Sequence, residues 1–478
     1  MSKYLITIGL ETHVHLKTRT KMFCACATEF GSEPNTNVCP VCLGYPGALP
    51  VMNGEAIKQC VISGLMLGCE INQFSTFDRK NYFYPDMCKD YQITQLEQPL
   101  CIGGGVAIDT PEGTRKIRIN HIHQEEDAGK IVHYARHSGV DFNRCGTPLM
   151  EIVSEPDLCS PDEAMAYLHN LRQILVYAGV SECNLEEGNM RSDVNVSVRP
   201  EGQTQLGIRT EIKNMNTFKG IYAALEYEIE RQLYIVRHGG TIVQETRRWD
   251  TDLGETQSMR TKENAHDYRY FPEPDLLPVT LSTELVEQWR ASLPEMPADR
   301  RLRMIKEYDI PEYDAGVLAY EKPNADFFEA AAKICGQGKT LSNWFMTDVM
   351  CLLSESGISI SDSALTPAAL AELITLAKSG VINGPTAKEL LTELFKEGGM
   401  PAKLVEERGL AQVSDSGALG SFVDEVFDAN EKSVADYLSG KKAAAGYLTG
   451  QVMKLSRGKA DPKLVNKMIA EKFAGMNR

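Results

Sequence analysis

Four cysteines in one short stretch, Cys24-Ala25-Cys26 and Cys39-Pro40-Val41-Cys42, offer soft thiolates at C-x-C and C-x2-C spacing. Each pair can reach a metal from one tight turn, and together they suit a tetrahedral structural Zn2+. Just before them, a strand-like segment carries Glu11, His13 and His15 at alternate positions. Alternate residues of a strand share a face, so Thr7, Gly9, Glu11, His13 and His15 point one way and Ile6, Ile8, Leu10 and Val14 the other. A row of carboxylate and imidazole suits a harder metal in a reaction site, and the competing reading is a solvated sheet face. Two later groups favour the reaction site. One is His121-Ile122-His123-Gln124-Glu125-Glu126-Asp127; the other runs from Asp141 to Glu151, with Glu151 between Met150 and Ile152. A carboxylate in apolar surroundings needs a partner cation, and Mg2+ is the natural one where carboxylates also meet phosphate oxygens.

Cations alternate with aromatics in Asp78-Arg79-Lys80-Asn81-Tyr82-Phe83-Tyr84-Pro85-Asp86 and again in Asp267-Tyr268-Arg269-Tyr270-Phe271-Pro272. Arg and Lys could hold a transferring phosphate and the rings could stack on a base, although loop packing explains either segment taken alone. The segment Gly336-Gln337-Gly338-Lys339-Thr340 ends like a phosphate-binding loop, but Lys333 stands where its first glycine belongs, so it reads as a helix-ending turn. Gly103-Gly104-Gly105 reads as a hairpin turn. No Gly-x-Ser-x-Gly elbow is present.

These groups need elements to position them. A chain of 478 residues exceeds one core, and its 43% apolar and 24% charged residues are those of a soluble globular protein. No signal peptide and no apolar run of membrane-spanning length is found, and thirteen cysteines, an odd number, suit a reducing cytoplasm. The net charge is −15, yet residues 441–478 hold nine Lys/Arg against two acids, an acidic body with a basic tail that can bind a polyanion. Up to about residue 290 the chain alternates cleanly, as in Arg191-Ser192-Asp193-Val194-Asn195-Val196, and around Arg209, Glu211 and Lys213. That favours an antiparallel sheet with one polar face, interrupted by helices over about 161–178 and 218–237. Helical periods then take over. Helices begin at Thr366-Pro367 and Pro385; a further unit opens at Ser414-Asp415-Ser416; and Asp461-Pro462 starts a last helix. On that helix Lys463 and Lys467 share a face, with Leu464 and Met468 expected toward the core. The expected domains are 1–294, 295–407 and 408–478.

Together, Ile8-Gly9-Leu10-Glu11-Thr12-His13-Val14, the stretch from Asp78 to Asp86, Glu125-Glu126-Asp127-Ala128-Gly129-Lys130, Asp141 to Asp157, Arg191-Ser192-Asp193 and Asp267 to Pro272 resemble the family of B subunits of the aspartyl/glutamyl-tRNA amidotransferase. The resemblance runs over essentially the whole chain. It implies an α+β fold: a cradle-like domain resembling glutamine synthetase on a largely antiparallel sheet, then an all-helical domain and a small helical tail. It also implies ATP-dependent activation of the side-chain carboxylate on misacylated Glu-tRNA(Gln) or Asp-tRNA(Asn). Ammonia would arrive from an amidase-like A subunit, with a small C subunit fastening the two. By resemblance, Glu11, His13, Glu125 and Glu151 are the metal-binding set, with Glu125 and Glu126 left as alternatives. Lys80 and Lys89 are candidates for a channel mouth, and Arg191, Asp193, Glu211, Lys213 and Arg260 for contacts to ATP or an acyl phosphate. Two other readings compete: a metal-dependent amidohydrolase, suggested by His13-Val14-His15, and a non-catalytic tRNA adaptor working through the basic tail.

Overall fold

The computed structural model describes residues 4–261, 265–412, 416–439, 441–456 and 460–476. It divides into two units, 1–297 and 298–478.

The first unit begins with β1 (Tyr4–His15), α1 (Gly54–Met66), β2 (Glu70–Ile71), β3 (Phe74–Ser75), β4 (Asp78–Asn81), β5 (Tyr91–Thr94), β6 (Cys101–Ile102), β7 (Gly105–Thr110) and β8 (Gly113–Glu126). It continues with β9 (Lys130–His133), β10 (Ser138–Asp141), β11 (Pro148–Ser154), α2 (Pro161–Tyr177), β12 (Met190–Pro200), β13 (Thr210–Lys213), α3 (Phe218–Arg237), β14 (Glu245–Asp250) and β15 (Glu255–Thr261). Ten of these strands form one sheet in the order β15-β14-β13-β12-β1-β11-β8-β6-β2, with β7 also on β8. Only β13 and β14 run parallel among its described pairs. This is the antiparallel sheet expected, and not the parallel barrel that the amidohydrolase alternative requires.

The alternation in the sequence explains how the sheet is covered. Ile8, Leu10 and Val14 of β1, Ile122 of β8, Met150 and Ile152 of β11 and Val194 and Val196 of β12 are buried in one core with residues of α1, α2 and α3. The opposite face keeps the odd-numbered polar residues of β1, β11 and β12. Ser160 caps α2 by accepting from the Glu163 N–H, with Pro161 in the first turn, and Thr217 caps α3.

The triple glycine is not a hairpin turn. β6 and β7 both pair with β8 in one continuous register and not with each other, so Gly103 and Gly104 interrupt a single strand path. A Cβ on Gly104 would lie 2.6 Å from the Leu67 carbonyl and one on Gly105 2.5 Å from the Ile117 carbonyl. Close backbone approach, with positive φ at Gly103 and Gly104, is what selects glycine here.

The second unit is helical and holds two apolar clusters, one within residues 304–405 and one within 419–473. Thr366 caps the helix Pro367–Lys378, and Asn383 caps the next, Gly384–Glu397, with Pro385 in its first turn. Gly336, in the left-handed region, ends the helix Lys322–Cys335, as the sequence suggested. The last helix spans Pro462–Met476, and Asp461 Oδ1 accepts from the Lys463 N–H at 2.8 Å. Its buried stripe is Val465, Ile469 and Phe473, whereas Leu464 is exposed, so the apolar face is turned by one residue from the expected one. Ser414 and Asp415 lie outside the described residues, as do Arg457, Lys459 and Arg478 of the tail.

Candidate active site and metal centres

In an antiparallel pair, directly opposed side chains point to the same face. The register sets Arg191 opposite His13, His13 opposite Glu151, and Glu151 opposite His123. Four ionisable groups therefore form a row across β12, β1, β11 and β8. Glu125, two residues beyond His123, joins them on that face. His13 Nε2 lies 3.3 Å from Glu151 and 3.7 Å from Glu125; His123 Nε2 lies 3.3 Å and 3.8 Å from the same carboxylates. Charge-assisted hydrogen bonds are shorter, about 2.7–2.9 Å. Neighbouring donors around Mg2+ stand about 3 Å apart, because each bond is about 2.0–2.1 Å. One donor atom each from His13, Glu125 and Glu151 falls within 4.8 Å of the others, so the set fits a small divalent cation. Burial opposes charge on both sides, but the partners prevail. Glu151 is held well below the carboxylate range by His13 and His123, and Glu151 and Glu125 push His123 up to about 10.

Beside this group, Glu11, Asp193 and Glu211 bring three carboxylates within 4.8 Å of one another. Lys213 Nζ lies 2.5 Å from Asp193 and 3.6 Å from Glu211, Asn195 donates to Glu11 at 2.9 Å, and Thr246 donates to Glu211 at 2.7 Å. Three convergent carboxylate donors are a set that suits a divalent cation.

Asp127, buried at the end of β8, ties the site together. It takes Arg191 at 2.9 Å, His15 at 2.7 Å and Arg144 at 3.3 Å. Burial raises its pKa, but Arg191, His15 and Arg144 outweigh this and hold the carboxyl well below its usual range. Glu126 points away from Glu125, as adjacent strand residues must, and pairs with the buried Lys89. Both line a cavity of about 90 Å³ together with Lys21, Cys42, Tyr91 and Gly146.

The Sγ atoms of Cys24, Cys26, Cys39 and Cys42 converge within 4.8 Å, with Cys39 and Cys42 at 3.9 Å. Zinc–sulfur bonds of about 2.3 Å in a tetrahedron separate the sulfurs by about 3.8 Å, so the cluster fits Zn2+. The Cys42 thiol is pushed down to about 4, first by the hydrogen bond from Cys24, then by the Cys39 N–H and the Lys21 ammonium.

The comparisons with known proteins cover both units. A family model described as the GatB/GatE catalytic domain matches residues 6–287, and one described as the GatB domain matches 326–473. The B subunit of the aspartyl/glutamyl-tRNA(Asn/Gln) amidotransferase from Caldanaerobacter subterraneus subsp. tengcongensis is 51% identical over 473 residues, covering 99% of this chain and all of the relative. The corresponding protein of Thermodesulfovibrio yellowstonii is 51% identical over 98% of each chain. The chain belongs to the family of amidotransferase B subunits. It is thus a component of an enzyme.

For a member of this amidotransferase family, most of the sequence-derived candidates fall into three places. His13, Glu125 and Glu151 meet in one cluster; Glu11 joins Asp193, Glu211 and Lys213 in the neighbouring one; Glu126 and Lys89 form a pair elsewhere. Lys80 is in neither cluster, its Nζ standing 4.9 Å over the Tyr268 ring. Arg191 lies in the row with His13, and the Arg260 side chain is outside what the structure describes. The sequence marked His123 and Asp127 within the group 121–127 and Arg144 within 141–151 but gave none of them, nor Asn195, a role of its own. Strand parity could have found His123, two residues before Glu125. Arg144 sits in a loop, where no periodicity marks it.

Proposed function

We propose that this chain carries the amide-forming half of a tRNA-dependent amidotransferase. Its substrates are Glu-tRNA(Gln), Asp-tRNA(Asn) or both, and its product carries the amide. One observation carries this reading: two carboxylate clusters stand side by side on one polar sheet face, with Arg191 and Lys213 at their edges. A carboxylate is a poor electrophile, and phosphorylation by ATP supplies a leaving group. The protein's task is then to position substrates and neutralise charge. His13, Glu125 and Glu151 would hold one Mg2+, and Glu11, Asp193 and Glu211 a second. Bound there, Mg2+ supplies charge neutralisation at phosphate oxygens. Arg191, fixed by Asp127, orients an anionic group, and Lys213 does the same across the second cluster. Ammonia from an amidase-like A subunit would enter through the cavity beside Lys89 and Glu126. A small C subunit would join the two, and Zn2+ at the four cysteines would be structural. Residues 408–478 form a tail that binds the tRNA body.

The test is to purify the complex and offer both misacylated tRNAs with ATP and glutamine. The expected result is Mg2+- and ATP-dependent amidation, with no glutamine hydrolysis by this chain alone. Amidation without ATP, or glutaminase activity in the single chain, would overturn the reading.

A further inference from the structure

Residues 128–140 contain Lys130 and Arg136, two histidines and no acid, in a chain of net charge −15. They form the two-stranded hairpin of β9 and β10. The Tyr134 N–H donates to the His137 carbonyl at 2.8 Å and closes a turn over Ala135 and Arg136. The rings of Tyr134 and His137 flank that turn already stacked, with centroids 4.8 Å apart and planes at 26°. Gly139 makes room for them, since a Cβ there would lie 3.3 Å from the Tyr134 ring. Tyr134 is nevertheless 57% exposed, and His133, Arg136 and His137 are exposed beside it.

The root of this hairpin is fixed. Arg144, which also grips Asp127, donates to the carbonyls of Ala128 and Gly129 at 2.9 Å and 2.8 Å. Asn35, in the loop between the two cysteine pairs, donates to the Val140 carbonyl at 3.0 Å and accepts from the Phe142 N–H at 2.8 Å. The hairpin therefore rises from the segment joining Glu125 to Glu151 and is braced by the cysteine element.

We infer that this hairpin is a stacking platform for the unpaired 3′ end of the acylated tRNA, an inference that rests on the function proposed above. An amino acid delivered to the carboxylate clusters drags its terminal nucleotides past the rim of the site. Exposed rings take a base on their π-faces, and cations beside them take the adjoining phosphate. Rings that are stacked beforehand lose little conformational freedom when a base is added.

The test is a cycle in the intact complex, comparing tRNA with its complete 3′ end and tRNA lacking the terminal unpaired nucleotides. Truncation should weaken binding to the wild type about tenfold or more. With Tyr134→Ala that penalty should largely vanish, and with Tyr134→Phe, which keeps the ring, it should remain. Equal penalties in wild type and Tyr134→Ala overturn the inference. So does loss of a partner protein from the Tyr134→Ala complex with the penalty intact, which would make the hairpin a protein contact. Because the readout is binding, it stands apart from the ATP-dependence that tests the proposed function.

Discussion

Glu151 sits between His13 and His123, so its charge balances two imidazoles and is needed by any cation they share. Glu151→Gln removes that charge at nearly constant shape. Amidation should fall about a hundredfold, measured with ammonia as donor so that no glutamine hydrolysis enters the readout. Near-normal amidation would remove Glu151 from the site. Asp127 offers a different test, of stability. Asp127→Asn leaves Arg191 and Arg144 without their buried counter-charge, which should cost toward the low end of about 3–5 kcal/mol, because both guanidiniums are partly exposed. The folded pKa of Asp127 lies below its unfolded value. Its stabilisation is therefore complete at pH values above the unfolded pKa and is lost as pH falls toward the folded one. The stability gap between wild type and variant should accordingly stay level from pH 7 down to the unfolded carboxylate pKa and narrow only below it, as followed by denaturant unfolding; a gap that does not change across that acidic range would contradict the assignment.

At the scale of elements, the four cysteines close two turns whose intervening loop reaches across to the hairpin root. Besides Asn35, Asn143 donates to the Glu33 carbonyl at 2.7 Å and accepts from the Asn37 N–H at 2.8 Å. One Zn2+ per chain is expected by elemental analysis. Cys42→Ser should lose it and expose the segment 128–143 to faster amide exchange, because metal binding there is part of the folding free energy. Zinc retained at one equivalent in that variant would disprove the four-thiolate site. The pairing of β6 and β7 with β8 shows why the triple glycine misled: a glycine run marks a backbone exception, but turn and close approach look alike until the partner strand is known.

For the whole molecule, the question is what the basic tail does. Lys441, Lys467 and Lys472 pair with Asp436, Glu471 and Asp424, so the local excess is partly neutralised within the chain. If the tail holds tRNA, Lys463, on the exposed side of the last helix, is the expected phosphate contact rather than Lys472, which lies over the Phe427 ring. Deleting residues 410–478 should raise the KM for tRNA and flatten its salt dependence, with ammonia-dependent turnover surviving at high tRNA. Unchanged tRNA affinity would return the tail to a solvated helix face. Much of this molecule was legible without coordinates. Cysteine spacing marked the four-thiol cluster, and alternation placed Glu11 and His13 on one face of β1 with the apolar residues on the other. Such patterns are local, since side-chain direction along a strand repeats every two residues. Register is not local. Nothing in the order of residues says that His13 lies opposite both Glu151 and Arg191, or that Glu11 faces Asp193. That pairing, set by the packing of the whole sheet on its helices, divided one expected metal set into two clusters and delivered Asp127 to Arg191, Arg144 and His15.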